Sequence, residues 1–164
     1  MLKAKDKIIK LKKLAKLLAR LRRQGKRVVF TNGCFDLLHV GHVRYLNEAR
    51  QKGDVLVVAV NTDRSVRKIK GDSRPIIPQA ERAEILSALA AVDFVTYFDE
   101  GTPFEIINEL KPGILVKGAD YRARDIVGND FIKRTGGKLY RIPLARNYST
   151  SRIVQDVVDK YGTK

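Results

Sequence analysis

The sequence has little cysteine and no long apolar run. Its single cysteine, Cys34, excludes an internal disulfide framework and a cysteine-rich zinc site, and it fits a reducing compartment. The longest unbroken apolar run, Val55 to Val60, is too short for a secretory signal or a membrane span and suits a buried strand. We therefore expect a cytoplasmic protein that is neither exported nor inserted into a membrane.

Acidic residues are scarce at the N terminus. Residues 1–27 contain twelve Lys or Arg and one acid, Asp6, so this segment carries +11 of the total charge of +15. Apolar residues recur at three- and four-residue steps from Ile8 to Leu21, which predicts an amphipathic helix ending near Gly25. Its basic face is interpreted first as a solvated surface, with RNA, anionic lipid or a partner as alternatives. Its apolar stripe could serve the core or a homodimer.

Five apolar, β-branched runs predict strands at 27–31, 55–61, 94–98, 114–117 and 139–142. Helical periods separate and follow them, at about 41–52, 78–91, 103–110, 123–134 and 150–161. Buried strands that alternate with helices indicate a doubly wound α/β fold with a five-stranded parallel sheet. The length fits one domain, residues 26–164, with residues 1–25 as an added N-terminal helix. Residues 70–78 lack a regular pattern, which predicts a mobile loop over the carboxyl edge of the sheet, where ligands bind in such folds.

Both histidines of the chain flank one predicted strand-to-helix turn. Strand 27–31 runs into Asn32-Gly33, and a helix begins near Gly41, where the missing side chain lets an anion approach backbone N–H groups. His39 and His42 flank this phosphate seat, and imidazole can donate to a phosphate oxygen whether neutral or charged. A purely structural turn and a metal site are alternatives. A metal is disfavoured because no third His or Cys accompanies the pair.

Other candidate residues follow later strands. Three hydroxyl residues after the fifth strand predict a helix cap that faces phosphates, with ordinary capping as the alternative: Ser149, Thr150 and Ser151. Lys117 ends the fourth strand and is predicted at the ligand edge, unless it is an exposed strand-end lysine. Three basic residues could grip a sugar phosphate or pyrophosphate, or be surface charges: Lys70, Arg74 and Arg82. Asp36 could orient the His39 turn, or bind a metal or a sugar.

Residues 33–42, GCFDLLHVGH, resemble the G-x-F-D-x-x-H-x-G-H signature of a nucleotidyltransferase superfamily that includes cytidylyltransferases and sugar-phosphate adenylyltransferases. The resemblance implies a Rossmann-like nucleotidyltransferase fold. It also implies that His39 and His42 bind nucleotide phosphates and stabilise the transition state. Residues 149–151 are similar to the superfamily's late S-T-T or S-S-T helix start. Nucleotide contacts are expected from Cys34, Phe35, Gly41 and Gly118, and the chain itself is expected to supply no metal ligand.

Over about residues 5–160 the chain is similar to the heptose 1-phosphate adenylyltransferases. Segments 53–54, 61–63, 70–75 and 116–121 extend the likeness. The resemblance implies transfer of AMP from ATP, with Mg²⁺, to D-glycero-β-D-manno-heptose 1-phosphate for lipopolysaccharide core biosynthesis. Because no kinase domain precedes the first helix, we expect a stand-alone enzyme with a separate heptose kinase as its pathway neighbour.

Two other functions are weighed against this one. Cytidylyltransferases for a small polyol phosphate, such as glycerol 3-phosphate, resemble R-T-x-G-I-S-T-T at the late motif. This chain has ARNYSTS at 145–151, without the glycine, which weakens that interpretation. A nucleic-acid-binding module would use the basic N-terminal helix and bind in a strongly salt-dependent way. Nucleic acid is therefore disfavoured as a partner.

Overall fold

The computed structural model describes residues 3–143 and 148–162. Five strands form one parallel sheet in the order β3-β2-β1-β4-β5. They are β1 (Val28–Gly33), β2 (Val55–Asn61), β3 (Phe94–Phe98), β4 (Ile114–Gly118) and β5 (Lys138–Ile142). The predicted five-stranded, doubly wound α/β fold is confirmed.

Helices pack on both faces of this sheet. Within the described ranges they are α1 (Leu11–Arg23), α2 (Val40–Arg50), α3 (Asp63–Lys70), α4 (Gln79–Ala88), α5 (Phe104–Leu110), α6 (Asn129–Arg134) and α7 (Thr150–Tyr161). Short 3₁₀ turns lie at Ala4–Lys7 and Ala123–Asp125. β2 is buried at every position, so its side chains supply both apolar layers in alternation. One layer includes α2 and α4, and the other includes α1, α5 and α6.

The apolar stripe of α1 rests on the domain's own core. Leu14 and Leu18 are fully buried in the layer that also holds α5. Arg22 Nη1 donates to the Leu110 carbonyl at 2.6 Å, and Lys7 Nζ donates to the Val92 carbonyl at 2.8 Å. The remaining basic side chains, such as Lys12, stay exposed. The helix is therefore amphipathic in the predicted sense, with its apolar side used inside this chain.

Two helical segments differ from the sequence prediction. α3 is not predicted, because only Ser65 and Val66 of its eight residues are buried and its apolar period is too sparse to detect. Thr62 caps it by accepting a hydrogen bond from the Ser65 N–H at 3.2 Å. The predicted helix at 123–134 is divided into the 3₁₀ turn and α6. Gly128 interrupts it with φ 92°, a conformation that favours glycine.

Candidate active site

A cavity of about 470 Å³ lies at the carboxyl edge of the sheet. β1 lies between β2 and β4 in the sheet. After β1 the chain continues to β2 and β3 on one side of β1, and it then crosses to β4 and β5 on the other side. In open α/β sheets ligands bind at such a divergence. The predicted site residues on the cavity wall are Cys34, Phe35, Asp36, His42, Lys70, Arg74, Lys117, Thr150 and Ser151. The topology therefore brings most of the predicted site to one place.

The two histidine rings are stacked on each other at the start of α2. Their centroids are 3.9 Å apart with an interplanar angle of 26°. The backbone N–H of His42 donates to the His39 carbonyl at 2.9 Å, which turns the chain into the helix. His42 lines the cavity and meets the Phe35 ring edge-on at 5.3 Å. Among the described residues neither Nδ1 atom has a hydrogen-bond partner, although both are buried. Buried polar atoms are normally satisfied, so this pair is consistent with a ligand-binding role.

His39 has different surroundings from His42. It is not on the cavity wall, and its ring lies between His42 and Tyr148, 6.3 Å from the Tyr148 centroid. A Cβ at Gly41 would come within 2.9 Å of His39 Nδ1 and 3.1 Å of Tyr148 Cβ. The open space that the sequence predicts for an anion at Gly41 is thus occupied by two side chains. Gly41 is needed to let these side chains approach α2.

Burial keeps both imidazoles neutral near pH 7. It lowers the pKa of His42 to about 4, with the nearby His39 as a second cause, and it lowers the pKa of His39 as well. A neutral ring can still donate one N–H to a phosphate oxygen. His42 of the ligand-free protein therefore meets a ligand as a neutral ring.

Lys117 is partly buried at the end of β4. Its Nζ donates to the Asn32 carbonyl at 3.2 Å and lies 5.8 Å from the Tyr121 ring centroid. Burial lowers its pKa to about 8, with the Asp120 carboxylate opposing the shift. The exposed strand-end alternative does not describe this side chain, because it forms part of the cavity wall.

These pKa values predict the pH dependence of catalysis. We expect kcat/KM for the nucleotide, at saturating acceptor, to be flat between about pH 6 and 7.5, because His42 stays neutral above a pKa of about 4. It should fall above about pH 8 as the Lys117 ammonium loses its proton. A pyrophosphate-release pH series measures both limbs. A step near pH 6.5 that disappears in His42→Ala would contradict the neutral-donor assignment.

The Asp36 carboxylate is occupied by the loop at residues 71–78. It is 2% exposed and accepts hydrogen bonds from the backbone N–H groups of Ile76 and Ile77, at 2.9 Å each, and from Arg74 Nε. Although burial works to raise its pKa, the Ile77 and Ile76 amides and Arg74 hold the pKa of this carboxyl below its usual value. The sequence left open the His39 turn, a metal or a sugar as the group that Asp36 holds, whereas in the structure this group is the loop.

Arg82 is buried away from the cavity wall. It is 1% exposed, and its guanidinium donates to the carbonyls of Cys34, Ile77 and Asn61 and to Asp63 Oδ1. Protein oxygens therefore occupy the side chain that the sequence predicts as a substrate contact. This corrects the prediction for Arg82, which binds two strand ends and the loop.

The late motif is divided between capping and the cavity. Ser149 is the N-cap of α7, and its hydroxyl accepts from the Arg152 N–H at 3.2 Å. Thr150 and Ser151 line the cavity, and Thr150 Oγ1 donates to the Leu37 carbonyl at 3.4 Å, which joins the motif to the histidine turn. Residues 145–147, where the cytidylyltransferase glycine is missing, lie outside the described residues.

The remaining predicted nucleotide contacts have mixed positions. Cys34 and Phe35 line the cavity, and burial raises the pKa of the Cys34 thiol, which makes it a poor nucleophile. Phe35 has φ 47°, in the left-handed region that residues other than glycine seldom adopt. Gly118 is buried at the end of β4, opposite Ile142 in the sheet, and is not on the wall.

Sequence reasoning misses several residues of the cavity wall. They include Asn32, Asn61, Phe98, Thr102, Tyr121 and Asp125. Single residues of these types carry no spacing signal. Asn61 was detectable by its place at the end of β2, since the carboxyl ends of neighbouring parallel strands meet at one edge.

The parallel sheet and the H-x-G-H turn at its carboxyl edge define a Rossmann-like nucleotidyltransferase. A family model described as cytidylyltransferase-like matches residues 30–156, and the chain belongs to that family.

Individual relatives agree with this assignment. The chain is 54% identical over 140 residues to the bifunctional protein HldE of Syntrophotalea carbinolica, covering 85% of this chain and 29% of that protein. It is 51% identical over 161 residues to the bifunctional protein HldE of Citrifermentans bemidjiense, covering 96% of this chain and 33% of that protein. It thus spans about a third of the length of these relatives. The crystal structure of the lipopolysaccharide core biosynthesis protein from Thermoplasma volcanium matches with a TM-score of 0.61 and 30% identity, over 76% of this chain and 100% of that one.

Among residues 3–143 and 148–162, no helix combines the length and the apolar character needed to span a bilayer.

Proposed function

We propose that this chain transfers AMP from ATP to D-glycero-β-D-manno-heptose 1-phosphate, giving ADP-heptose and pyrophosphate for lipopolysaccharide core biosynthesis. The observation that carries the proposal is the meeting of His42, Lys117 and the first turn of α7 in one cavity. The choice of acceptor is supported by the sequence resemblance and by the neighbour described as a lipopolysaccharide core biosynthesis protein. A separate heptose kinase would be a neighbour in the same pathway. We place the reaction in the cytoplasm, in keeping with the reducing compartment that the single cysteine favours.

The proposed reaction needs no covalent enzyme intermediate. An acceptor phosphate oxygen attacks the α-phosphorus of ATP in line, a new P–O bond forms, and the bond to the pyrophosphate oxygen breaks. Such a transfer depends on positioning two polyanions and stabilising the charge that develops between them. His42 would donate a neutral N–H, and Lys117 an ammonium, to oxygens of the reacting phosphates. Thr150 and Ser151 would bind the β- and γ-phosphates at the start of α7.

Magnesium would accompany the triphosphate. Among the described residues, no group of three or more His, Cys, Asp or Glu side chains is arranged to hold a metal ion. The Asp36 carboxylate is already bound by Arg74 and two backbone amides. The donor set therefore fits a cation held by phosphate oxygens and water, as is common for Mg²⁺ with nucleotides. The cation would neutralise phosphate charge.

A pyrophosphate-release screen tests the proposal directly. Purified protein is incubated with each of four nucleoside triphosphates and a panel of sugar 1-phosphates. We expect the highest kcat/KM with ATP and the heptose 1-phosphate. The family match favours one second candidate, a cytidylyltransferase for a small polyol phosphate. Turnover of CTP with glycerol 3-phosphate, and none of ATP with the heptose, would replace the first proposal by the second.

Removing the cap of α7 should weaken nucleotide binding. Ser149→Ala removes the acceptor for the Arg152 N–H, which frays the turn that carries Thr150 and Ser151. A lost N-cap costs about 1 kcal/mol, so we expect ATP to bind about fivefold more weakly by calorimetry. Ser149→Thr keeps a capping hydroxyl and should bind normally. Equal affinities of the alanine variant and the parent protein would contradict this role.

A further inference from the structure

Two buried charged side chains hold the backbone of a single residue of the 71–78 loop, Ile77, through its N–H and its carbonyl. The Ile77 N–H donates to Asp36 Oδ1 at 2.9 Å, and the Ile77 carbonyl accepts from Arg82 Nε at 2.9 Å. Asp36 and Arg82 are 2% and 1% exposed, whereas most of this loop is exposed. A mainly exposed loop is therefore attached to the interior of the domain. We call this contact, formed by Asp36, Ile77 and Arg82, the Ile77 clasp.

The clasp is fixed to the same strand ends that form the cavity. Arg82 Nη2 donates to the Asn61 carbonyl at 2.9 Å and to Asp63 Oδ1 at 2.7 Å, and Nη1 donates to the Cys34 carbonyl. Asn61 ends β2, and Cys34 follows β1. The planar, always charged fork of arginine can make these separated bonds at once, which a lysine ammonium cannot do.

One member of the clasp, Asp36, also binds Arg74. Asp36 Oδ2 accepts from Arg74 Nε, and Arg74 lines the cavity with a side-chain exposure of 20%. Binding through Nε fixes the plane of the guanidinium and holds it at the cavity beside Lys70, which also lines the wall. A guanidinium held in this way is well suited to bind a phosphate with little loss of conformational freedom.

We propose that Asp36 and Arg82 are positioning residues that hold Arg74 at the cavity to bind the phosphate of the acceptor sugar. Neither residue contacts the substrate in this account. Loss of the clasp lets the 71–78 loop move and Arg74 leave its position. We expect nucleotide binding to change less, because His42 and Thr150 are held by the His39 and Leu37 carbonyls and not by the loop. The part of this inference that concerns the acceptor sugar rests on the proposed transferase function.

The Arg82→Lys variant tests the clasp without any substrate. It keeps the positive charge in the interior but cannot bond all four oxygens. Hydrogen exchange at the Ile76 and Ile77 amides should quicken about tenfold, the expected effect of weakening one buried anchoring contact. Arg67→Lys, at an exposed position on α3, is the matched control and should leave these amides unchanged. Unchanged exchange in Arg82→Lys would overturn the clasp.

Kinetics tests the link to Arg74. We expect Arg82→Lys to raise KM for the heptose 1-phosphate about tenfold and to change KM for ATP less than about twofold. In an Arg74→Ala background the same Arg82→Lys change should have no further effect on acceptor KM, because both act through one group. Additive effects, or equal rises in both KM values, would overturn the positioning role. If Arg82→Lys proves too unstable, Asp36→Asn provides the same exchange and double-variant measurements.

The exchange and kinetic measurements together separate this inference from the proposed function. Quickened exchange with no turnover of any heptose phosphate overturns the choice of acceptor and leaves the clasp in place. Normal heptose turnover with unaltered exchange overturns the clasp and leaves the reaction in place.

Discussion

His42→Ala should keep its fold and lose about 10²–10³-fold in turnover, the usual cost of removing one preorganised donor to a developing oxyanion. The ring lines the cavity, is neutral near pH 7, and has a buried Nδ1 without a partner among the described residues. Deleting it breaks no internal hydrogen bond of Nδ1, which is why we expect folding to survive. The measurement is kcat with ATP and the heptose 1-phosphate on purified protein, with circular dichroism to verify the fold.

His39→Ala is the matched comparison for this variant. His39 stacks on His42 but does not line the cavity, so it should act through the orientation of its neighbour and cost less in turnover. Near-normal turnover of a folded His42→Ala protein would contradict the role assigned to His42. A larger loss in His39→Ala than in His42→Ala would contradict the division between the two rings.

Lys117→Met should abolish measurable turnover and at the same time stabilise the fold. Burial lowers the pKa of Lys117 from 10.5 to about 8, so the folded protein disfavours the ammonium. That shift corresponds to a free-energy cost on the order of 3 kcal/mol at pH 7, of which a variant with similar volume should recover about 1–3 kcal/mol. Enzymes commonly give up stability at groups that carry the chemistry.

The pH dependence separates this effect from simple repacking. Because the pKa of Lys117 is depressed in the fold, the parent protein gains stability as pH rises from about 8 toward the ordinary lysine value. The advantage of Lys117→Met in Tm should therefore be largest near pH 7 and shrink by about pH 10. A Tm below that of the parent at pH 7, or turnover close to normal, would contradict the account of this residue.

Regular elements were largely predictable where burial is continuous. β2 and β3 occupy the predicted residues 55–61 and 94–98. β2 is an apolar run buried at every position, and β3 combines β-branched and aromatic residues that suit a strand. α3 escaped because a helix that buries two residues has no clear period. The order of the strands depends on pairings distant in sequence, such as Val29 with Ile114, and local patterns do not encode them.

The candidate site was predictable where residue type and position coincide. His42 and Lys117 stand at strand-to-helix or strand-end positions, which the parallel sheet brings to one edge. Arg82 was misassigned because the sequence around a helical arginine does not show whether its side chain is exposed or buried. Only the tertiary structure supplies the carbonyls of Cys34 and Asn61 that bind it.

Imidazole NMR tests the central claim most directly, because the chain has only two histidines and hence two Hε1 signals to follow. The His39→Asn and His42→Asn variants assign the two signals. On titration with Mg²⁺ and a non-reactive ATP analogue, with binding followed in parallel by calorimetry, we predict a saturable shift of the His42 signal at the calorimetric Kd. Calorimetric binding of the nucleotide with neither histidine signal moving would contradict the account.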